Sequence, residues 1–528
     1  MARERRPNKP RPSKPRPKEP RTANRFTSAT AVLLYVALGR LLLHLLTNGG
    51  YGIGRDELYY VACGNHLAWG YVDHPPLTPL IARLAGALGG TSLATLRFLP
   101  AVAAAATTFV AGRIAGELGG RRFAQAMTAV AVSIGYSALL FGTALTTNVF
   151  DQLVWALALY LFVIILQRSE PRYWIWLGVV LGLGLMNKHS VVFLGAAVLA
   201  GLALTDERKH LASRWSWYAA GLAALIFLPN IVWEVQHGWP TLEFLERAEL
   251  NRMPRVDPGG FIVGQVFSMH VLILPVWLLG LWRLLTGKDV KELRPVGIAY
   301  LALLIYFIMS RAKAYYLVPF YPPLLAAGCV AIERWVAGRR LRWAPAAIVA
   351  VLLVGAAVTA PLSLPVLSPE AVIEYAPRLD PSLRRLAPGE SRMPVAFQDM
   401  FGWEEMVATV AEVYHALPPE QRAVAAVSGN NYGQAAAIDF FGPEYDLPKS
   451  VSTHNNYWLW GPRDYTGEVL ITVGVRKEAL LAAFGSVELA AVVEHPYVVW
   501  YETNQPVYVW RDMKLPLSQA WPRMKLFY

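Results

Sequence analysis

The sequence predicts an α-helical polytopic membrane protein of about 11 transmembrane helices with a C-terminal extracytoplasmic α/β domain. Three observations carry that expectation. Hydrophobic side chains occupy 55% of the 528 positions and charged ones only 16%, far more apolar than a water-soluble chain of this length. Apolar runs recur from Ser28 to Leu367, many of them near the roughly 17 to 25 residues a helix needs to cross a bilayer. From Ser368 onward short alternating segments with frequent polar residues replace them. The expected division is a basic cytoplasmic tail over 1–25, a membrane domain over 26–367 and a soluble domain over 368–528.

The formal charge of +12 suggests a nucleic-acid partner until it is located. The first 25 residues hold ten Lys or Arg against two Glu, so +8 of that charge lies in the tail. Six prolines and almost no apolar side chains give the tail nothing to bury, so disorder is expected. A polybasic segment before a first span reads as a cytoplasmic topology anchor, and no nucleic-acid partner is expected. The apolar run behind it is too long for a cleavable signal. Cys63 and Cys329 fall in different kinds of segment, which predicts no structural disulfide.

Apolar windows place spans near Ser28–Thr47, Leu96–Leu118, Ala124–Gly142, Val149–Leu166, Trp174–Met186, Val191–Leu204, Trp215–Val235, Phe261–Leu285, Val296–Met309, Tyr316–Val336 and Ala344–Leu367. Arg121 and Arg122, Arg208 and Lys209, Lys288 and Lys291, and Arg339 and Arg340 all fall in loops on the tail's side. By the positive-inside bias that side is cytoplasmic, so the loop after the first span and everything after Leu367 face outward. In the last domain, Trp403–Leu417, Tyr432–Phe441 and Lys477–Phe484 read as helices, and Arg422–Ser428, Glu468–Val473, Val487–Val493 and Val507–Arg511 as strands. The stretch from Ser428 into the helix at Tyr432 is a candidate anion site at a helix N-terminus.

The chemistry concentrates in the first outer loop. Asp56 and Glu57 sit between Arg55 and the aromatic pair Tyr59 and Tyr60. A carboxylate just outside a membrane core, beside aromatics that can stack on a ring, suits removal of a proton from an acceptor hydroxyl or amine. The bland alternative is that both acids merely favour the positive end of a short helix. Asp73 and His74 add a carboxylate and an imidazole before Pro75 and Pro76, unless they only cap a turn. Lys188 and His189 interrupt an apolar stretch at the outer face, where an ionisable group is a functional candidate, with a snorkelling lysine as the alternative. Arg311, Lys313, Tyr315 and Tyr316 form a third outer cluster, cationic and aromatic. His44, inside the first span, reads as a satisfied polar contact. No Walker loop, nucleophile elbow or dependable metal-ligand spacing is present, so nucleotide chemistry is not expected. No cofactor is certain from the sequence, and a divalent metal stays possible.

The order RDELYY at 55–60, DHPPL at 73–77, TNVFD at 147–151, NKH at 187–189 and AYYLVPFYPPL at 314–324 resembles the GT-C membrane glycosyltransferases. Within them it is most similar to glycosyltransferase family 39 and to the bacterial proteins grouped with protein O-mannosyltransferases and the lipid A aminoarabinose transferase. The resemblance covers roughly residues 28–340. It implies a polyprenyl- or dolichyl-phosphate-sugar donor, catalysis by the first-loop acid at Asp56, and a donor phosphate faced by Lys188, Arg311 and Lys313. Where the aminoarabinose branch has Lys before Pro-Pro, this chain has His74, which puts that phosphate contact in question.

The sequence therefore points to an integral-membrane glycosyltransferase of the bacterial cytoplasmic membrane. Asp56 and Glu57 are the candidate catalytic residues. Asp73, His74, Lys188, His189, Arg311, Lys313, Tyr60 and Tyr315 are candidates for binding donor phosphate and substrate. The expected partners are the lipid-linked donor, membrane lipids and an unidentified outer acceptor. The alternative is a transporter or flippase for a lipid-linked substrate, which predicts internal repeats that the sequence does not display. A binding module on an inert anchor leaves Asp56 and Asp73 without a role.

Overall fold

The computed structural model describes residues 28–528 apart from 169, 251–255, 381–382 and 384–390. The basic tail lies outside the described residues. In chain order the helices of the apolar part are α1 (Ala29–Thr47), α2 (Arg55–Asn65), α3 (Leu77–Gly89), α4 (Leu93–Glu117), α5 (Arg122–Ser133), α6 (Tyr136–Phe141), α7 (Thr147–Arg168) and α8 (Arg172–Leu185). They continue as α9 (Val191–Ala203), α10 (Arg214–Gln236), α11 (Pro240–Leu250), α12 (Pro258–Met269), α13 (Leu274–Thr286), α14 (Arg294–Met309), α15 (Tyr321–Gly338) and α16 (Ala344–Thr359).

Among the described residues seven helical segments are long and apolar enough to cross a membrane, and α12 with α13 makes an eighth span bent by 94°. Adding α8, α9 and the broken pair α5 and α6 gives about the expected eleven. Two expected single spans, Ala124–Gly142 and Phe261–Leu285, are broken instead. A short helix in lipid leaves carbonyls that polar groups must take up, and α1 with its C-cap supplies them at the far end of α6. Arg40 donates to the Ala138 carbonyl at 2.7 Å and Asn48 to that of Gly142 at 3.2 Å. The second break falls at His270, whose φ of 86° no helix accommodates.

The helices expose apolar side chains and bury small ones. Leu34, Leu38, Leu42 and Leu46 of α1 are exposed, as are Val351, Leu353 and Val354 of α16, which suits a surface whose solvent is lipid. Inside, α13 and α15 meet through Gly280 and Gly328. A Cβ at either glycine would collide with a backbone carbonyl of the facing helix, the close approach that small residues permit between membrane helices.

One end of the bundle is tied by ion pairs. Arg168 pairs with Glu117, Asp289 with Arg283 and Arg334, and Glu333 accepts the N–H groups of Arg121 and Ala124. The first loop, the α8–α9 turn and the segment after α14 lie at the other end.

Beyond α16 come α17 (Pro369–Leu379), α18 (Trp403–Ala416) and α19 (Tyr432–Phe441), with strands β1 (Ala425–Gly429), β2 (Val469–Val473), β3 (Phe484–Val493) and β4 (Gln505–Met513). The strands form one sheet in the order β1-β2-β4-β3. β1 runs parallel to β2, with Val427 beside Ile471, and β4 runs antiparallel to both β2 and β3. All five residues of β2 are buried, as expected of a central strand covered on both faces. The expected helix Lys477–Phe484 stops at Leu480. Phe484 opens β3 because its ring packs on buried Trp510, 5.5 Å between centroids. The core beneath the sheet is continuous with the first loop: Val407, Val427 and Ile471 share a cluster with Leu58, Tyr59 and Cys63 of α2. Cys63 and Cys329 are both free and buried.

Candidate active site

The site is organised by α2, whose two adjacent acids part company. Glu57, at the third helical position, turns back to accept the Gly54 N–H at 2.9 Å, the capping-box contact. Its carboxylate also receives Arg97 through Nε at 3.0 Å and Nη2 at 2.6 Å, and the Leu145 N–H at 2.8 Å. The pair is 1% exposed on each side. Glu57, expected as a catalytic candidate, has its oxygens taken up by Arg97 and the backbone, the setting of a structural strut.

Asp56 points the other way and is exposed. Its Oδ1 accepts the Tyr432 hydroxyl at 2.9 Å, and its charge reaches Tyr60 and Tyr315. Asp73 lies close by, its Oδ1 accepting from Tyr59 at 3.0 Å. Burial pushes the Asp73 carboxyl above its ordinary value, with His74 and the Tyr59 hydroxyl pulling the other way. Two carboxylates thus sit in unlike surroundings, Asp56 exposed and Asp73 half-buried.

The cations meet at the turn between α8 and α9. Asn187 fixes that turn by donating to the Thr147 carbonyl and accepting from Thr78, both at 2.9 Å, while the Leu77 N–H donates to the Met186 carbonyl at 2.8 Å. DHPPL, TNVFD and NKH are thereby knitted together. Lys188 donates to Asn148 at 2.5 Å, lies 3.9 Å from Asp151, and stands over Tyr315 and Tyr316 at 5.8 and 5.6 Å from their ring centroids. Lys313 is near enough for its charge to act on Lys188.

The remaining candidates are placed differently. His74 is buried among Tyr59, Tyr60 and Tyr71, with Nδ1 at 3.0 Å from the Pro75 carbonyl, so it braces its own loop. His189 packs on Phe227 of α10 at 5.9 Å. Arg311 is exposed at a left-handed turn, φ 52°. Tyr60 lies against His74 with its centroid 5.0 Å away, and Tyr315 packs on Phe141 and Tyr316. His44, expected to be satisfied, is buried with neither ring nitrogen hydrogen-bonded. Among the described residues no group of three or more His, Cys, Asp or Glu side chains is arranged to hold a metal ion.

Comparison with known proteins gives the arrangement its context. Residues 73–233 match the family described as dolichyl-phosphate-mannose-protein mannosyltransferase. The chain superimposes on ArnT from Cupriavidus metallidurans bound to undecaprenyl phosphate with a TM-score of 0.60, at 15% identity over 91% of this chain and 98% of that one. The apo state of the same protein gives 0.56 over the same shares. The fold is that of the GT-C membrane glycosyltransferases. The Archaeoglobus fulgidus oligosaccharyltransferase tethered with an acceptor peptide is also similar, at a TM-score of 0.48, 12% identity, and 78% and 63% coverage. No curated protein sequence matches.

Within this GT-C fold several residues close to the candidate site are not evident from the sequence. Asn148 and Asp151 stand inside the TNVFD motif, which by itself gives them no role. Arg97 has a signal, an ionisable group at the start of an apolar span that must find a partner. Tyr432 and Asn456 have none, since nothing local ties residues of the last domain to a loop nearly four hundred positions earlier. Asn456 donates to the Tyr59 hydroxyl at 2.5 Å and accepts the Val72 N–H at 3.1 Å. The candidate anion site before α19 is already filled: Asn431 accepts the Gly433 and Gln434 N–H groups at 2.9 and 3.0 Å.

Proposed function

We propose that this protein is a membrane glycosyltransferase that moves a sugar from a polyprenyl-phosphate-linked donor to an acceptor at the outer face of the cytoplasmic membrane, with Asp56 as base. The observation that carries the reading is that the exposed Asp56 carboxylate acts electrostatically on Tyr315, the same residue over whose ring the Lys188 ammonium stands at 5.8 Å. The likeness to ArnT bound to undecaprenyl phosphate supports the choice of donor.

In the proposed reaction the acceptor oxygen or nitrogen attacks the anomeric carbon, and the bond from that carbon to the phosphate oxygen breaks. Polyprenyl phosphate leaves with the electron pair, and Lys188 and Lys313 stabilise its charge in a site shielded by the bilayer. The acceptor proton passes to Asp56. Asn148 and Asp151 hold the Lys188 ammonium in position. The acceptor is a lipid, glycan or protein carrying a free hydroxyl or amine.

The test is incubation of the purified protein with a labelled polyprenyl-phosphate-sugar and a membrane extract, without nucleotide. The expected result is label on an extract component and stoichiometric release of polyprenyl phosphate. Recovery of intact donor, or its movement across a vesicle bilayer unchanged, contradicts the proposal and favours a transporter.

A further inference from the structure

The C-terminal region grips α2 along one side. Arg55 donates to Asp399 and to the Tyr501 hydroxyl and stands over the Tyr501 ring at 5.0 Å. Asp56 accepts from Tyr432, and Tyr59 accepts from Asn456. These three positions share a helix face at Arg55, Asp56 and Tyr59, while Glu57 on the other side is bound to the membrane helix α4 through Arg97.

Tyr432 is itself held firmly. It is the first residue of α19, whose cap Asn431 donates to Glu502 at 2.9 Å, while Gln434 donates to the same carboxylate at 2.7 Å. Its ring packs on Tyr59 at 4.4 Å and on His454 at 5.3 Å, and its N–H donates to His454 Nδ1 at 3.4 Å. The neighbouring Gly433 leaves room for the Arg55 side chain, which a Cβ there would strike.

We propose that the C-terminal region is a working part of the site and that Tyr432 is a positioning residue, its hydroxyl holding the Asp56 carboxylate in the orientation in which the other oxygen receives the acceptor proton. The inference rests on Asp56 being the base. A carboxylate on an exposed side chain rotates freely unless something fixes it, and a catalytic group displaced by an ångström loses about a hundredfold in rate. One charge-assisted hydrogen bond from a residue whose ring packs on Tyr59 and His454 supplies that fixation.

The test is a double-mutant cycle on the purified full-length protein, with Tyr432→Phe, Asp56→Ala and the two combined, reading kcat, donor KM and melting temperature. Tyr432→Phe keeps both ring contacts and removes only the hydroxyl. The expected result is a fall in kcat on the order of 10- to 100-fold, with donor KM and melting temperature near wild type. In the Asp56→Ala background the same change has no further effect on kcat, because the group it positions is gone. An equal cost in both backgrounds, or a wild-type kcat in Tyr432→Phe beside a crippled Asp56→Ala, overturns the positioning role and leaves the base in place. Wild-type turnover in Asp56→Ala overturns the base, and the inference with it.

Discussion

Two neighbouring carboxylates in α2 lie in opposite surroundings, and burial separates the parts proposed for them. Glu57 is 1% exposed and faces an equally buried Arg97. Removing one charge from such a pair strands the other, at a cost of about 3–5 kcal/mol. Glu57→Gln is therefore expected to lower the melting temperature and folded yield of the detergent-purified protein, while Asp56→Asn melts like wild type. A Glu57→Gln protein that melts like wild type contradicts the strut. Lys188 belongs to the same scale. Its ammonium is held by Asn148 and Asp151 and faces two tyrosine rings, so Lys188→Ala is expected to raise donor KM with the fold intact. Unchanged donor kinetics would remove Lys188 from the site. Asp56, Glu57 and Lys188 are legible in the sequence because charged residues beside apolar runs stand out. The resemblance alone singles out Asp56 there, and the residue pattern does not explain why, because the Arg97 that buries Glu57 lies forty residues on.

At the scale of elements, α2 is a splint with α4 on one side and α19 on the other, and a histidine monitors the second contact. His454 is buried against Tyr432, and its burial, reinforced by Arg55, lowers its pKa to about 4. Unfolded, it titrates near 6.5. The folded state thus binds fewer protons between those values, so stability is complete above about pH 6.5 and falls as pH drops toward about 4. The loss approaches roughly 3 kcal/mol, each tenfold difference in proton affinity between the folded and unfolded chain being worth about 1.4 kcal/mol. Melting curves across that range are expected to show the decline in wild type and a shallower one in His454→Gln; equal slopes contradict it. Elements are the most legible feature of the chain. Tyr432–Phe441 is predicted with its observed bounds, because a strand, a polar knot and an apolar period follow one another there. The breaks at Gly135 and His270 are invisible to hydropathy, which counts apolar residues and takes no account of backbone direction. What fills a helix N-terminus is equally hidden, since Asn431 satisfies it from within.

At the scale of the molecule, the candidate site and the sheet lie at one end of the bundle, and the ion pairs of Asp289 and the backbone N–H groups held by Glu333 at the other. A cleft of about 700 Å³ there is lined by Arg208, Lys209, Lys291 and Arg294 beside Asp206 and Glu207, four cations to two acids, at the ends of α9 and α14 remote from Lys188 and Arg311. Reporter fusions after Thr47 and Leu367 are therefore expected outside, and those after Arg122 and Arg342 in the cytoplasm. A cytoplasmic C-terminal reporter contradicts that orientation. The overall architecture is legible because lipid selects for long apolar runs, whereas the pairing of the last domain with the first loop is a long-range contact that no local pattern encodes.

The measurement that bears most directly on the proposed chemistry is transfer from a polyprenyl-phosphate-sugar by Asp56→Asn, purified and compared with wild type at matched folded concentration. Asn keeps the size of the side chain and can still accept from Tyr432, but it cannot take a proton. With Asp56 as base, turnover falls by about 10²–10⁴ and donor binding is retained; near wild-type turnover would contradict it.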